Sequence, residues 1–517
     1  MKRHVNLAVF ASLLGTAPLL AACGGSDDGP GTEGAPRLEL AASPTALQVR
    51  RGESATLQVT LAPASARKEL AVVHLSGLPE GIAAGDVVLQ PGAGTTATLT
   101  LTAGIDAPTG GPHAVQVEAT IGDARLTAPL ELVVAGLPGD LDGGFGEGGV
   151  AAIADDRLRN GLISGLAAVE GGAFGVVSYA ASASPSYLFK VGDDGALDPA
   201  FGTQGVVELG ASGAADTNCT LAVSPSGERV VAACLARDSA NRDQGLFLRC
   251  FDSAGLPDTG CGPAGALDVA IDLERTWGYE PLVAVDGQNR ITVVAMSFGS
   301  SDGGQRIDGW RIASDGAPDA SFGDAGHVAL ETQSRSLTRL LALADGGCLV
   351  TGRQAAAGGA DGAVAIRLGD DGAPDARFGA QGFLALDRAV FDAAEAEDGS
   401  LFFAAGGGAV LATDATGAAA SRFGGEGVVQ LRDMQLRAAT IVGDGSLLVA
   451  GVDSVAKRAV VHRLTREGVL DPAFAARAAL PQGVAERLAF GPDGRLYAAI
   501  KEGSGGAPYL AIARAWP

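Results

Sequence analysis

The stretch Asp198-Pro-Ala-Phe201-Gly-Thr-Gln-Gly205-Val-Val-Glu-Leu209 decides the fold, because it is the clearest of seven copies of one phrase. Related copies centre on Phe145, Cys261, Phe322, Phe378, Phe423 and Phe474, at successive spacings of 56, 60, 61, 56, 45 and 51 residues. A recurring unit of this length is one supersecondary element that cannot bury its apolar face alone and must stack on its neighbours. Each phrase leads into a β-run such as Gly205-Val-Val-Glu-Leu209, and a hairpin signal follows, with good copies at Asp345-Gly346, Asp398-Gly399, Asp444-Gly445 and Asp493-Gly494. Glycine there supplies the positive φ that a tight hairpin needs. Residues 137–517 therefore read as an approximately seven-bladed β-propeller of four-stranded units, an architecture that leaves few exposed strand edges. The strand at Tyr509-Leu-Ala-Ile-Ala-Arg514 resembles the one that precedes the phrase elsewhere, so it is expected to pair beside the first copy.

Two readings of the phrase compete. The repeated Asp142, Asp198, Asp258, Asp319, Asp375 and Asp471 could form a ring of calcium ligands. Yet Lys190, Arg311, Arg367 and Arg463 stand eight residues before the aspartate in copies two, four, five and seven, and in copy six both positions are alanine, Ala412 and Ala420. Joint presence and joint loss predict a structural ion pair. Phe145, Phe201, Phe322, Phe378, Phe423 and Phe474 are expected as core knobs between units. No catalytic residue, metal or cofactor is expected at the phrase.

This arrangement resembles the delta-60 repeat family of bacteria, in which an LDxxFGxxG phrase recurs together with a hairpin Asp-Gly. The resemblance covers residues 137–517 and implies a propeller, without implying an activity. Copies three, six and seven depart from it, with Cys261 for Phe, Ala420 for Asp and Ala475 for Gly, so irregular units are expected there.

Upstream, residues 37–136 carry about seven short alternating runs, among them Ala55-Thr-Leu-Gln-Val-Thr-Leu61 and Thr96-Ala-Thr-Leu-Thr-Leu-Thr102. This is a sandwich pattern, and it resembles the immunoglobulin-like modules of bacterial surface proteins. Residues 1–22 read as a signal peptide: Lys2 and Arg3, an apolar run, then Leu20-Ala-Ala-Cys23. That tetrapeptide resembles the bacterial lipobox, which implies lipidation of Cys23, and Gly24 favours the outer membrane of a Gram-negative cell. Residues 23–36 form a tether without apolar content.

Five further cysteines fit an oxidising compartment. Cys219 with Cys234 and Cys250 with Cys261 are sensible local disulfides, although spacing alone leaves the connectivity open. The net charge of −22 argues against nucleic acid and against electrostatic docking on anionic lipid.

Strings that suggest chemistry lack their context. Gly299-Ser-Ser301-Asp-Gly303 matches a nucleophile elbow but sits in a Gly/Ser-rich loop, and Gly144-Phe-Gly146-Glu-Gly-Gly149 matches a dinucleotide fingerprint with no helix after it. The expectation is a non-enzymatic, lipid-anchored envelope protein that recognises or scaffolds a protein or glycan. Alternatives are a structural subunit of an envelope assembly complex or a quinoprotein-type propeller dehydrogenase.

Overall fold

The computed structural model of the protein describes residues 38–63, 68–91, 95–159, 161–179, 185–210, 216–238, 243–278, 280–299, 304–355, 361–501 and 510–517. The expected signal peptide, Cys23 and the tether lie outside the described residues, as do residues 300–303 of the elbow-like string.

The chain is all-β, built from antiparallel sheets with short turns, apart from one parallel pair, Ala46–Arg50 with Ala124–Ala135. The alternation read from the sequence shows why: in Thr96–Ala103 every second residue is buried, the alanines and leucines inward and the threonines outward. The N-terminal region forms two sheets. One orders Glu39–Ser43, Ser54–Ala62, Thr96–Ala103 and Ile82–Ala84; the other orders Ala46–Arg50, Ala124–Ala135, Gly110–Ile121, Ala71–Ser76 and Val87–Leu89. Leu57, Leu99 and Leu101 of the first and Val73, Val115 and Leu132 of the second share one buried core.

Seven further sheets follow. Sheet one combines distant segments, placing Val150–Ile153 outermost beside Leu510–Ala515, then Leu496–Lys501 and Val484–Phe490. Sheet two is Leu162–Val169, Gly172–Ser178, Ser186–Gly192 and Val206–Leu209; sheet three is Asp216–Val223, Arg229–Arg237, Asp243–Asp252 and Ala266–Val269. In sheet four Thr276–Trp277 and Leu282–Val285 both pair Ile291–Phe298, followed by Gln305–Ile312 and His327–Thr332. Sheet five is Ser336–Ala342, Cys348–Ala355, Asp361–Leu368 and Phe383–Leu386; sheet six is Val390–Glu395, Leu401–Ala405, Ala409–Thr413 and Val428–Gln430. Sheet seven is Met434–Ile441, Leu447–Asp453, Ala459–Leu464 and a residual Leu470–Asp471, after which Pro472–Arg477 is helical. Taking Val484–Phe490 as the first strand of sheet one and Leu282–Val285 as that of sheet four, first strands of consecutive sheets touch, from one through seven, and that of sheet seven also meets that of sheet one.

Copies three and six, expected to be irregular, form ordinary four-stranded sheets, and the three-glycine turn Gly406–Gly408 explains the short spacing of 45 residues around copy six. Copy seven does differ. With Ala475 in place of glycine the chain winds into a helix, capped by Asp471 and started by Pro472.

In sheets one to six the phrase lies between the third and fourth strands and repeats one set of backbone bonds, whereas in sheet seven it starts inside the residual fourth strand at Asp471. The amides of Asp142, Asp198, Asp258, Asp319, Asp375 and Ala420 donate to the carbonyls of Arg514, Lys190, Cys250, Arg311, Arg367 and Ala412 at 2.9–3.0 Å. The first copy thus uses Arg514 where the others use a residue eight positions upstream. The phrase also grips the next sheet. Gly146, Gly323, Gly379 and Gly424 donate to Asp194, Asp371, Thr416 and Glu467, each in the turn that follows the third strand of the neighbouring sheet.

In that turn one glycine is obligatory at all seven boundaries. Gly139, Gly195, Gly255, Gly316, Gly372, Gly417 and Gly468 have φ between +78° and +91°, and a Cβ on any of them would fall within 3.1 Å of an atom of the preceding sheet's phrase segment. Sheet one makes this turn from two segments: Gly139 donates to the Trp516 carbonyl (2.8 Å), and Trp516 donates to Asp140 (2.9 Å).

The N-terminal sheets meet this seam directly. Arg51 pairs with Asp140 at 2.9 Å, and Thr109 Oγ1 donates to the Leu141 carbonyl (3.0 Å) while accepting from the Gly143 amide (3.1 Å).

Candidate functional site

All phrase rings are core. Phe145, Phe201, Phe322, Phe378, Phe423 and Phe474 are buried, as is Cys261 at the same position. The repeated aspartates close Asx turns: Asp142, Asp198, Asp258, Asp319, Asp375 and Asp471 each accept the amide two residues on. These short loops hold no group of three or more carboxylate, histidine or cysteine ligands, and none occurs elsewhere among the described residues.

The expected ion pairs are only partly as read. Lys190 Nζ lies 2.7 Å from Asp198, and Arg367 Nε is 3.4 Å from Asp375 while its Nη2 sits closer, at 2.6 Å, to Asp345. Arg311 instead reaches Asp370 of the next sheet at 2.9 Å, and Arg463 takes Asp444, leaving Asp471 as a helix cap. A guanidinium spans far enough to choose between two nearby turns, which a fixed offset in sequence does not reveal. A second class of arginine was not anticipated. Arg229 at the start of its strand, and Arg290 and Arg495 just before theirs, reach Asp258 (2.6 Å), Asp319 (3.6 Å) and Asp142 (3.1 Å). Their only signal is a position just after each hairpin turn.

The basic heads also staple sheets together. Lys190 donates to the Ala254 carbonyl, Arg229 to Ser314, Arg311 to Asp370 and Arg367 to Ala415, each in the next sheet's turn. Copy three has Cys250 at the basic position, and Cys250 and Cys261 are disulfide-bonded. Cys219 and Cys234, directly opposed in register, form the second disulfide. Cys348 is a buried free thiol whose pKa burial pushes up to about 12.

The Lys190 ammonium holds the Asp198 carboxyl below the usual carboxylate range, its hydrogen bond being the main cause. A carboxyl lowered in the folded state contributes stability above its unfolded pKa of about 3.9 and loses it as pH falls through the folded value. Lys190→Met is accordingly expected to cost about 1–3 kcal/mol at neutral pH. It should also flatten the fall in thermal midpoint below about pH 4, read by circular dichroism melts across a pH series. An unchanged acid limb would remove the pair from that role.

The seven first strands border one cavity of about 450 Å³, to which each sheet contributes, for example Leu166, Leu221, Val283, Arg339, Asp392, Thr440 and Leu488. Its charges follow from β-bulges. Register slips at Leu337/Arg339, Val390/Asp392 and Ala485/Arg487 re-aim the residue after the extra one. Those residues are Arg339, Asp392 and Arg487.

Asp392 ties three sheets. Arg339 Nε lies 3.0 Å from its Oδ1, which also accepts the Ala393 amide (2.9 Å), and Oδ2 accepts the Ala439 amide (2.9 Å). Arg487 donates only to carbonyls, those of Ser164 (3.3 Å) and Glu486 (2.8 Å), and has no carboxylate partner among the described residues. The other lining side chains are mostly aliphatic, with Ser164, Ser224, Thr440 and exposed backbone making much of the wall polar. Such a cavity, within the volume range of small-ligand sites, can hold an anionic group with an apolar body. Its carboxylate is fully engaged, and no histidine or cysteine borders it.

No family model and no curated protein matches the chain. Among solved structures, domains 4 and 5 of the S-layer protein SbsC match 19% of this chain at 22% identity, with a TM-score of 0.14. The match spans 53% of that structure's own length.

Proposed function

We propose that this protein is a lipid-anchored, non-catalytic recognition or scaffolding module of the cell envelope. Residues 37–136 act as an immunoglobulin-like spacer and 137–517 as a seven-bladed β-propeller of the delta-60 kind. Seven sheets in sequence, the same phrase-to-turn bond at four boundaries, and contact between the first strands of sheets seven and one support the propeller. The lipobox-like Leu20-Ala-Ala-Cys23 supports the anchor. The observation that carries the binding role is the cavity bordered by all seven sheets, where Arg487 has no carboxylate partner among the described residues. A buried-side cation without a carboxylate is suited to an anionic group brought by a partner, protein or glycan.

The test is quantitative affinity capture of the full-length protein from its own envelope, wild type beside Arg487→Ala. Components recovered with the wild type should fall by about tenfold in the variant, the equivalent of one charged hydrogen bond. Equal recovery would exclude the cavity as the contact.

A further inference from the structure

Sheet four departs from the other sheets at one register position. Where the third strand leaves the phrase, the cross-strand pair is Ala513–Val150 in sheet one, Phe189–Val206 in two, Arg249–Ala266 in three, Ile366–Phe383 in five and Leu411–Val428 in six. In sheet four it is Trp310–His327. Three residues before the phrase-bonded end of the strand, where other sheets carry Tyr187, Phe247, Val364, Ala409, Val460 or Ala511, stands Asp308, only 1% exposed. Trp310 also packs on the core between sheets three and four beside Trp277, but that packing does not call for Asp308 or His327, whose counterparts are chiefly apolar.

Asp308, Trp310 and His327 build a cleft of about 440 Å³ against the outer strand of sheet three. Trp277 and Trp310 have ring centroids 5.7 Å apart at 40°, and Trp310 and His327 5.3 Å apart at 34°. The rings therefore spread into a ledge. It is a fixed one: Trp277 Nε1 donates to the Asp272 carbonyl (2.9 Å), and its backbone is held by Asp243 and Arg237. Asp308 positions the polar rim, with Ser297 Oγ donating to Oδ2 (3.0 Å), Arg306 Nη2 2.8 Å from Oδ1 and His327 Nε2 3.0 Å from Oδ1. Arg306 and His327 stay part-exposed at the opening, and the Asp268 carboxylate borders it from the facing sheet.

We propose that this cleft binds a saccharide, with a pyranose ring laid on the Trp310–His327 ledge and its hydroxyls bonded to Arg306, His327 and Asp268. Flat rings beside a mixed donor and acceptor rim suit a ligand with an apolar ring face and a polar edge. A quaternary ammonium fits less well, because the rings do not box it in and Arg306 brings a positive charge to the same opening. The site lies on the third and fourth strands, apart from the first strands that border the cavity, and it stands independently of that cavity's role.

The test is titration of the full chain with an N-acetylglucosamine tetramer as neutral probe, a galacturonic acid tetramer as acidic probe and tetramethylammonium as rival, read by tryptophan fluorescence. One of the two oligosaccharides should bind with Kd of about 0.1–1 mM. Trp310→Ala should weaken it about tenfold or more, and Trp310→Phe, which keeps a ring, by less than about threefold. Should Trp310→Ala fail to fold, Arg306→Gln carries the same test, with an expected loss of about fivefold or more. Arg487→Ala should bind the sugar as the wild type does. The proposal fails if neither oligosaccharide binds at millimolar concentration, if tetramethylammonium alone binds, or if affinity is indifferent to Trp310→Ala and Arg306→Gln or falls with Arg487→Ala.

Discussion

Replacing Asp142 with alanine is expected to destabilise the protein by about 3–5 kcal/mol, the cost of leaving buried charge without its partner. Asp142 is fully buried, and its Oδ2 lies 3.1 Å from Arg495 Nε and 3.0 Å from Arg514 Nε. The carboxylate is the centre of the seam: Arg514 stacks over Phe145 and reaches Asp193 of sheet two (3.0 Å), and Arg495 stacks over Trp516 at 3.9 Å. Without it two guanidiniums, with side chains 13% and 4% exposed, remain desolvated side by side, Arg514 keeping only the largely exposed Asp193 as counter-charge. Lys190 and Asp198, at 10% and 22%, keep access to water and lose less when separated. Urea unfolding checks the difference. The midpoint of Asp142→Ala should fall well below that of Lys190→Met with the slope unchanged. A shift of under about 1 kcal/mol would mean that water reaches the seam.

Phe201→Ala should cost about 3–5 kcal/mol, the range for a fully buried ring. Phe201 is 1% exposed and packs edge-on against Phe174 at 5.3 Å and Phe251 of the next sheet at 5.6 Å. Gly255→Ala strikes the same contact from the other side. Its φ is +90°, and the new Cβ would sit 2.4 Å from Phe201 Cδ2. Left-handed strain adds about 1–2 kcal/mol and overpacking about 1–3. The two lesions share one cause, so they should not add. In the Phe201→Ala background the ring that the methyl strikes is gone, and Gly255→Ala should cost only its backbone strain. A double-mutant cycle reads this as coupling of about 1–3 kcal/mol. Strict additivity would sever the phrase ring from the neighbouring turn.

How far the sequence foretells these contacts depends on their range. The phrase spacing announces seven units, because every boundary needs the same glycine against a buried phrase residue, a ring in every copy but the third, and the alternation in Thr96–Ala103 places its buried face. Local hydrogen bonds, such as those of the Asx turns, follow from residue type at fixed offset. Choices made across space do not. Whether Arg311 takes Asp319 or Asp370 depends on which sheet stands beside it, and the bulges that turn Arg339, Asp392 and Arg487 into one cavity leave no mark in composition. The Trp310–His327 pair is invisible until the register of two strands is known, since 17 positions separate them. The helix at Pro472–Arg477 was signalled by Ala475, but only as a missing glycine.

The mated boundary of phrase and turn glycine also bears on how such a chain can change length over generations. One phrase-to-phrase stretch runs from the fourth strand of a sheet through the third strand of the next, and it carries one buried phrase residue, a ring except at Cys261, and one turn glycine. A duplication or loss of a stretch of that length, wherever its ends fall, passes on the two halves of the contact in equal number. Every junction in the longer or shorter descendant is still filled. Recombination with an unrelated four-stranded unit would leave a ring facing a side chain at one edge, so gaining or losing a whole repeat disturbs this packing less than borrowing a foreign one.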